Sequence, residues 1–255
     1  MAAPLHASVS GEVLDVKEVR QQNRMVLSCI IKNEGEKGRE AQKYETEMVS
    51  LESYSQEMIL AGIRDGGLTG MGGAGFPTHK KYETDKSIDS LLINGAECEP
   101  FLTCDYRLML EQGYGILNGI CLLLKASGAR KAYLCIEDNK PEAIRSLRRI
   151  LEAAKQSGKI EETQKLEIRE LPAKYPQGGE RQLIQAVLGR AVPQGGLPAD
   201  VGELVTNLGP AKAAADMLLG GMPLNKRIVT VTGCVKEPDN YVLPVVTSAK
   251  EPMTI

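Results

Sequence analysis

Between Gly66 and Tyr82 the chain reads GGLTGMGGAGFPTHKKY, with glycine at 66, 67, 70, 72, 73 and 75. A glycine inside regular structure costs about 0.5 to 1 kcal/mol relative to alanine, so this density excludes a helix or strand and calls for a shaped loop that approaches something closely. Successive free N–H groups in such a loop form a concavity for an anion, typically a phosphate. The competing reading is a purely structural loop. Gly70, Gly72 and Gly75 satisfy G-x-G-x-x-G, yet the dinucleotide fingerprint follows a strand and opens a helix. Here residues 55–64 (SQEMILAGIR) read as a helix with apolar Met58, Ile59, Leu60 and Ile63. The loop is therefore expected to be a cradle of another kind, stiffened at Phe76-Pro77, where proline fixes its own φ and biases its predecessor away from the α region. Lys80 and Lys81 follow closely enough to neutralise a phosphate or reach a substrate; the alternative is a solvated pair.

The near-balanced formal charge of -2 over 255 residues gives no footprint for nucleic acid or an anionic membrane. No run approaches the roughly 18 apolar residues that span a bilayer, and the N-terminus lacks a secretory signal pattern. The expected location is cytoplasmic, free or peripheral on the inner face of the cell membrane. The six cysteines, at 29, 98, 104, 121, 135 and 234, form no C-x-x-C pair, and histidine occurs only at 6 and 79. An iron–sulfur or zinc site within the chain is not expected, and no metal ligands are assigned. With no Trp and two Phe, the core is expected to be aliphatic.

Residues 1–32 alternate polar and apolar positions (HASVSGEVLDV, then RMVLSCIIK) and read as short strands with Gly11 at a turn. Residues 33–48 are charged and read as a linker, and residues 49–224 form one domain. Its reading is helix 55–64, strand 90–94, helix 106–127, strand 131–137, a helix from Pro141 to Gly158, strand 165–170, helix 179–189, strand 203–206 and helix 210–219. Such alternation predicts an α/β domain with a mainly parallel sheet and a ligand at the carboxyl ends of the strands. Residues 225–255 read as the start of another small β module, with a turn from Glu237 to Asn240.

Three loops at strand ends carry chemistry. In LLINGAECEP a buried strand runs into Asn94, Glu97 and Glu99. An amide and carboxylates there can bond a ring edge or ribose hydroxyls, hold Mg²⁺, act as acid and base, or simply be a solvated acidic loop. YPQGGERQ places Glu180 in a first helical turn, where the dipole favours a carboxylate with or without a ligand. Asn207 closes the set after strand 203–206, and VPQGGLPADVG (192–202) reads as a shaped wall. Nothing forms a nucleophile–base arrangement, so no catalytic side chain is assigned.

GGAGFPT followed by Lys81, NGAECEP followed by Asp105-Tyr106-Arg107-Leu108-Met109, YPQGGERQLI, GGLPADVG and VTNLG resemble, in order and spacing, the flavin-binding 51 kDa-type subunit of NADH dehydrogenase, and more closely the C subunit of the Rnf electron-transport complex. The resemblance covers roughly 50–246. It implies a Rossmann-like parallel-sheet FMN-binding domain of the complex I 51 kDa type, with partial β modules at both ends: half of a lipoyl-like barrel at 1–32 and the start of a soluble-ligand-binding β-grasp at 225–255. It implies non-covalent FMN against Gly70, Gly72, Gly73 and Gly75, with Lys81, Asn94, Glu97 and Asn207 near it, and NADH on Phe76, Glu99 and Glu180. Hydride would pass from NADH to FMN, and electrons would leave singly to 4Fe-4S clusters expected beyond Ile255. The partners implied are other subunits of a membrane-associated complex or a ferredoxin-like acceptor. Ala96 and Gly179 depart from the complex I pattern toward Rnf, and Pro210 replaces a usual Thr. The alternatives are a module feeding a corrinoid or amino-acid reductase system, and a non-catalytic scaffold that has lost FMN.

Overall fold

The computed structural model describes residues 3–21, 23–35, 42–73, 75–245 and 247. Ala74 of the glycine loop, the linker stretch 36–41 and the C-terminal stretch 248–255 lie outside the described residues.

Four parallel strands form the centre, β3 (Ser90–Gly95), β4 (Lys131–Glu137), β5 (Leu166–Leu171) and β6 (Glu203–Asn207), in the order β5-β4-β3-β6. Strands β3 and β4 are apolar almost throughout, as strands covered on both faces must be. One face carries α2 (Gln56–Asp65), α5 (Gly113–Ser127), α6 (Pro141–Ser157) and α9 (Leu208–Gly220), whose aliphatic side chains fill the main core. The other face is covered by α8 (Glu180–Leu188), with Leu183 and Ile184 packed on Leu92, Tyr133, Cys135, Leu171 and Val205. Helices α5 and α9 approach so closely that a Cβ on Gly119 would lie 1.8 Å from the Ala211 carbonyl oxygen.

Outside this body lie the antiparallel hairpins β1 (Gly11–Gln21) with β2 (Arg24–Asn33), and β7 (Lys226–Val231) with β8 (Asp239–Pro244). Short helices α1 (Lys43–Thr46), α3 (Thr78–Tyr82) and α7 (Glu161–Gln164) and a single 3-10 turn at Pro198–Val201 lie between these elements, and none of them is announced by the sequence pattern.

Three expectations need correction. The predicted helix 106–127 is two helices, α4 (Cys104–Glu111) and α5, broken at Gln112 (φ -124, ψ 31). There Gly113 sits closely against Leu147 and Ile150 of α6: a Cβ would stand 3.0 Å from Ile150 Cδ1. Gly11 is no turn but the first residue of β1, opposite Asn33, where Lys32 leaves no space for a side chain. The strands it opens are 11 and 10 residues long rather than short. In the C-terminal hairpin the connection spans 232–238, so Asp239 and Asn240 are already strand.

Candidate functional site

The glycine cluster divides by role. Gly66 and Gly67 finish α2: their N–H groups bond Gly62 O (2.8 Å) and Arg64 O (3.0 Å), and Gly67 takes the positive φ of 68 usual after a helix. These two need no ligand, which corrects the reading of all six as a cradle. Beyond them Thr69 pairs with Pro77, and Gly70 N–H donates to Phe76 O (2.7 Å), so the loop is closed at its neck. Gly73 (φ 104) and Gly75 (φ 60) adopt conformations that only glycine enters freely. Among the described residues no hydrogen bond uses the N–H of Gly72, Gly73 or Gly75. A Cβ on Gly72 would lie 2.6 Å from the Asn207 amide nitrogen. Arg227 of β7 donates to Met71 O (2.6 Å), and the Met71 sulfur lies over Gly209 in the first turn of α9.

The strand ends meet this loop because the sheet is parallel and in register. Asn94 of β3 is opposite Asn207 of β6. The Asn94 amide donates to Gly178 O (2.9 Å), and its oxygen accepts from Ala96 N–H (3.2 Å), tying the 175–179 loop to the end of β3. Lys81 of α3 donates to Val205 O (2.6 Å) and pairs with Glu180 (3.1 Å), linking the glycine loop to β6 and α8. Glu97 is buried, and both its oxygens are taken by α4, accepting from Asp105 N–H (2.7 Å) and Tyr106 N–H (3.1 Å). A carboxylate there caps the helix.

A cleft of about 1070 Å³ opens between these parts, just above the usual range for small-molecule sites. Of the expected residues, Gly72, Glu97, Glu99 and Asn207 line it. Lys81, Asn94 and Glu180 do not; they are joined to the loops that do. Gly70, Gly73, Gly75 and the half-exposed Phe76 also stand outside the lining, on the glycine loop itself. Pro210, buried in the first turn of α9, breaks no intrahelical bond, since the first N–H groups of a helix have no partner within it.

Several site residues are not visible to sequence reasoning. The fourth strand end, IEDNK, delivers buried Glu137 and Lys140, whose ammonium pairs with Glu137 (3.0 Å) and faces Glu97 at 4.0 Å. A loop after a predicted parallel strand is the signal that marks it. The Cys98 sulfur accepts from Gly178 N–H (2.9 Å). One whole wall, from Pro223 to Thr230 together with Val242, comes from the C-terminal hairpin. Thr230 and Asn240 of that hairpin bond Thr103 at the start of α4.

Burial raises the Glu97 carboxyl above the ordinary range, outweighing its two amide partners and Lys140. Asp105 is pushed up to about 7, first by burial and then by the charge of Glu97, against the opposing charges of Arg227 and Lys140. The last proton of this wall therefore leaves near neutral pH. Loop N–H donors unpaired among the described residues, forced glycine conformations and the open cleft fit a phosphate-bearing ligand. Among the described residues no group of His, Cys, Asp and Glu is placed to hold a metal ion, and no helix is long and apolar enough to cross a membrane.

Known proteins resemble the chain in sequence and in fold. The chain is 38% identical over 254 residues to the C subunit of the proton-translocating ferredoxin:NAD(+) oxidoreductase complex of Clostridium ljungdahlii, covering 98% of this chain and 53% of that protein. It is 39% identical over 244 residues to the C subunit of the Na(+)-translocating ferredoxin:NAD(+) oxidoreductase complex of Acetobacterium woodii, covering 93% and 52%. To the C subunit of the ion-translocating oxidoreductase complex of Vibrio cholerae it is 37% identical over 243 residues, covering 93% and 30%. The chain thus spans about half, or less, of the length of these relatives. Among solved structures, an NAD+-reducing NiFe-hydrogenase in the air-oxidized state superposes with a TM-score of 0.69 at 25% identity, covering 80% of this chain and 39% of that one. The Nuo51 FMN-binding domain matches residues 63–216, which include the glycine loop and all four parallel strands. The chain belongs to the Nuo51 FMN-binding domain family.

Proposed function

We propose that the chain is the FMN-bearing, NAD(H)-linked module of an Rnf-type C subunit. The observation that carries this reading is the glycine loop, whose free N–H groups flank a cleft at the carboxyl ends of a parallel sheet in a chain of the FMN-binding family. Bound FMN supplies the hydride and single-electron chemistry, which the protein positions and tunes. In this reading Gly72, Gly73 and Gly75 take the phosphate, Gly70 closes the neck of their loop on Phe76, and Asn207 sits beside them. Lys81 and Asn94 hold the surrounding loops in place, Lys81 through Val205 and Glu180 and Asn94 through Gly178. Glu97 shapes the floor by capping α4. Phe76, Glu99 and Glu180 receive the dinucleotide.

The relatives' names pair ferredoxin with NAD(+). Hydride is accordingly proposed to move between FMN and NAD(H), with electrons exchanged singly with 4Fe-4S clusters or a ferredoxin-like acceptor outside these residues. The module is proposed to sit peripherally on the cytoplasmic face of a membrane complex, bound to its other subunits. Domain boundaries at 32, 48 and 224 belong to the same proposal, with the proviso that the cleft wall continues past 224.

The test is a titration of the purified chain with FMN, followed anaerobically by NADH. Uptake of flavin absorbance that bleaches with NADH is the expected result, and a colourless chain that refuses FMN refutes the reading. Glu99→Gln should raise the NADH requirement while sparing FMN uptake; equal loss of both contradicts the division of roles.

A further inference from the structure

The tip of the glycine loop is tethered from far along the chain. Its neck is closed by Gly70 N–H on Phe76 O and by the pairing of Thr69 with Pro77. Beyond that neck, among the described residues 71–73 and 75, the loop makes one hydrogen bond, which Met71 O accepts from Arg227 Nη2 (2.6 Å). The donor stands on β7, 156 positions later and outside the family-matched segment 63–216. Among the described residues no carboxylate pairs with Arg227; Asp105 feels its charge without bonding it.

That bond acts on a particular peptide group. The Met71 carbonyl and the Gly72 N–H belong to one plane and, in a trans peptide, point in opposite directions. A donor held on the carbonyl therefore fixes where the N–H points. Without it the plane turns over readily, because a flip changes ψ of Met71 and φ of Gly72 together, and glycine accepts either sign of φ. A flipped plane would present a carbonyl oxygen where an N–H stood, an acceptor that repels an anion in place of a donor that binds one. The strand-end side of the cleft is lined by Glu97, Glu99 and Asp105, so attraction for a phosphate there rests on oriented N–H groups.

We propose that Arg227 is the positioning residue of the glycine loop, holding the Met71–Gly72 peptide with its N–H turned to the phosphate of FMN. This rests on the FMN reading of the cleft. The guanidinium is on the carbonyl side of the plane, so it acts through the peptide and does not itself grip the phosphate.

The test compares FMN with riboflavin, which has the same ring and ribityl chain and no phosphate, by equilibrium dialysis against the full 255-residue chain. Arg227 is exposed, so replacing it leaves the core intact. Arg227→Met should weaken FMN about tenfold, the size of one charge-assisted hydrogen bond, and leave riboflavin within about twofold. Arg227→Lys keeps a donor for the carbonyl and should recover most of the loss. The ratio of parent to Arg227→Met should persist when KCl is raised from about 0.05 to about 0.5 M, where exposed charge pairs are screened. Equal weakening of FMN and riboflavin overturns the proposal, as does unchanged FMN binding. A ratio that collapses in high salt also overturns it and makes Arg227 a direct charge partner. If the parent binds FMN no more tightly than riboflavin, this inference falls and the flavin reading stands; if it takes up neither, both fall.

Discussion

Replacing Asp105 by Asn leaves shape and burial in place and removes one ionisation from the cleft wall. The carboxyl is moved from 3.8 to about 7, chiefly by burial, with the charge of Glu97 adding to it. Between those values the native state holds a proton that the unfolded chain has released, so stability is greatest below 3.8 and is lost as pH rises toward 7. From pH 5 to pH 8 the loss through this group alone is about 3 kcal/mol, at about 1.4 kcal/mol for each pH unit up to its folded value. Glu97 is also raised and interacts with it, so the proton belongs to the pair, and the gain from removing one member is on the order of 2 kcal/mol. In a chain of this size that corresponds to roughly 4 to 8 °C in melting temperature. Urea and thermal unfolding of parent and Asp105→Asn at pH 5 and pH 8 measure it directly. The variant's advantage should grow with pH and level off above 7. Glu203, pushed to about 7 at the amino end of β6, is present in both proteins and cancels. An advantage equal at both pH values, or larger at pH 5, refutes the argument.

Two glycines give sharper contrasts. Gly72→Ala sets a methyl 2.6 Å from the Asn207 amide nitrogen, so FMN affinity by equilibrium dialysis should fall at least tenfold with little change in melting temperature. Gly70→Ala, whose nearest neighbour is at 3.6 Å, should bind nearly normally. Gly119→Ala drives a methyl into the Ala211 carbonyl and must part α5 from α9; overpacking of this kind costs about 1 to 3 kcal/mol or more. A melting temperature within a degree of the parent's would show that the two helices are not in contact.

The parallel sheet is legible because its strands are local signals: apolar runs at 90–94 and 131–137, each followed by a helical stretch that ends at a glycine of positive φ, Gly128 and Gly158. Amphipathic α6, with proline at its first turn, falls where the periodicity puts it. The break at Gln112 falls inside a single helix of the sequence reading, and the α6 side chains packed against Gly113 beside it, Leu147 and Ile150, lie far along the chain. Composition locates the glycine loop but overstates its extent, because it does not distinguish the end of α2 from the cradle that follows. Lys140 and Arg227 give no local signal because their roles arise from packing. Arg227 and the Met71 carbonyl it grips are separated by 156 positions, and no local pattern encodes such a bond.

The hairpin wall separates the inheritance of the cleft from that of the fold. The family-matched segment ends at 216, yet residues 223–230 and Val242 close one side of the cleft. Two chains with the same strand ends and glycine loop but different hairpins would share a floor and differ at the doorway. Grafting β7 and β8 between relatives is then a way to change what gains access while leaving the chemistry beneath untouched, and any excised piece meant to bind ligand has to extend through Pro244.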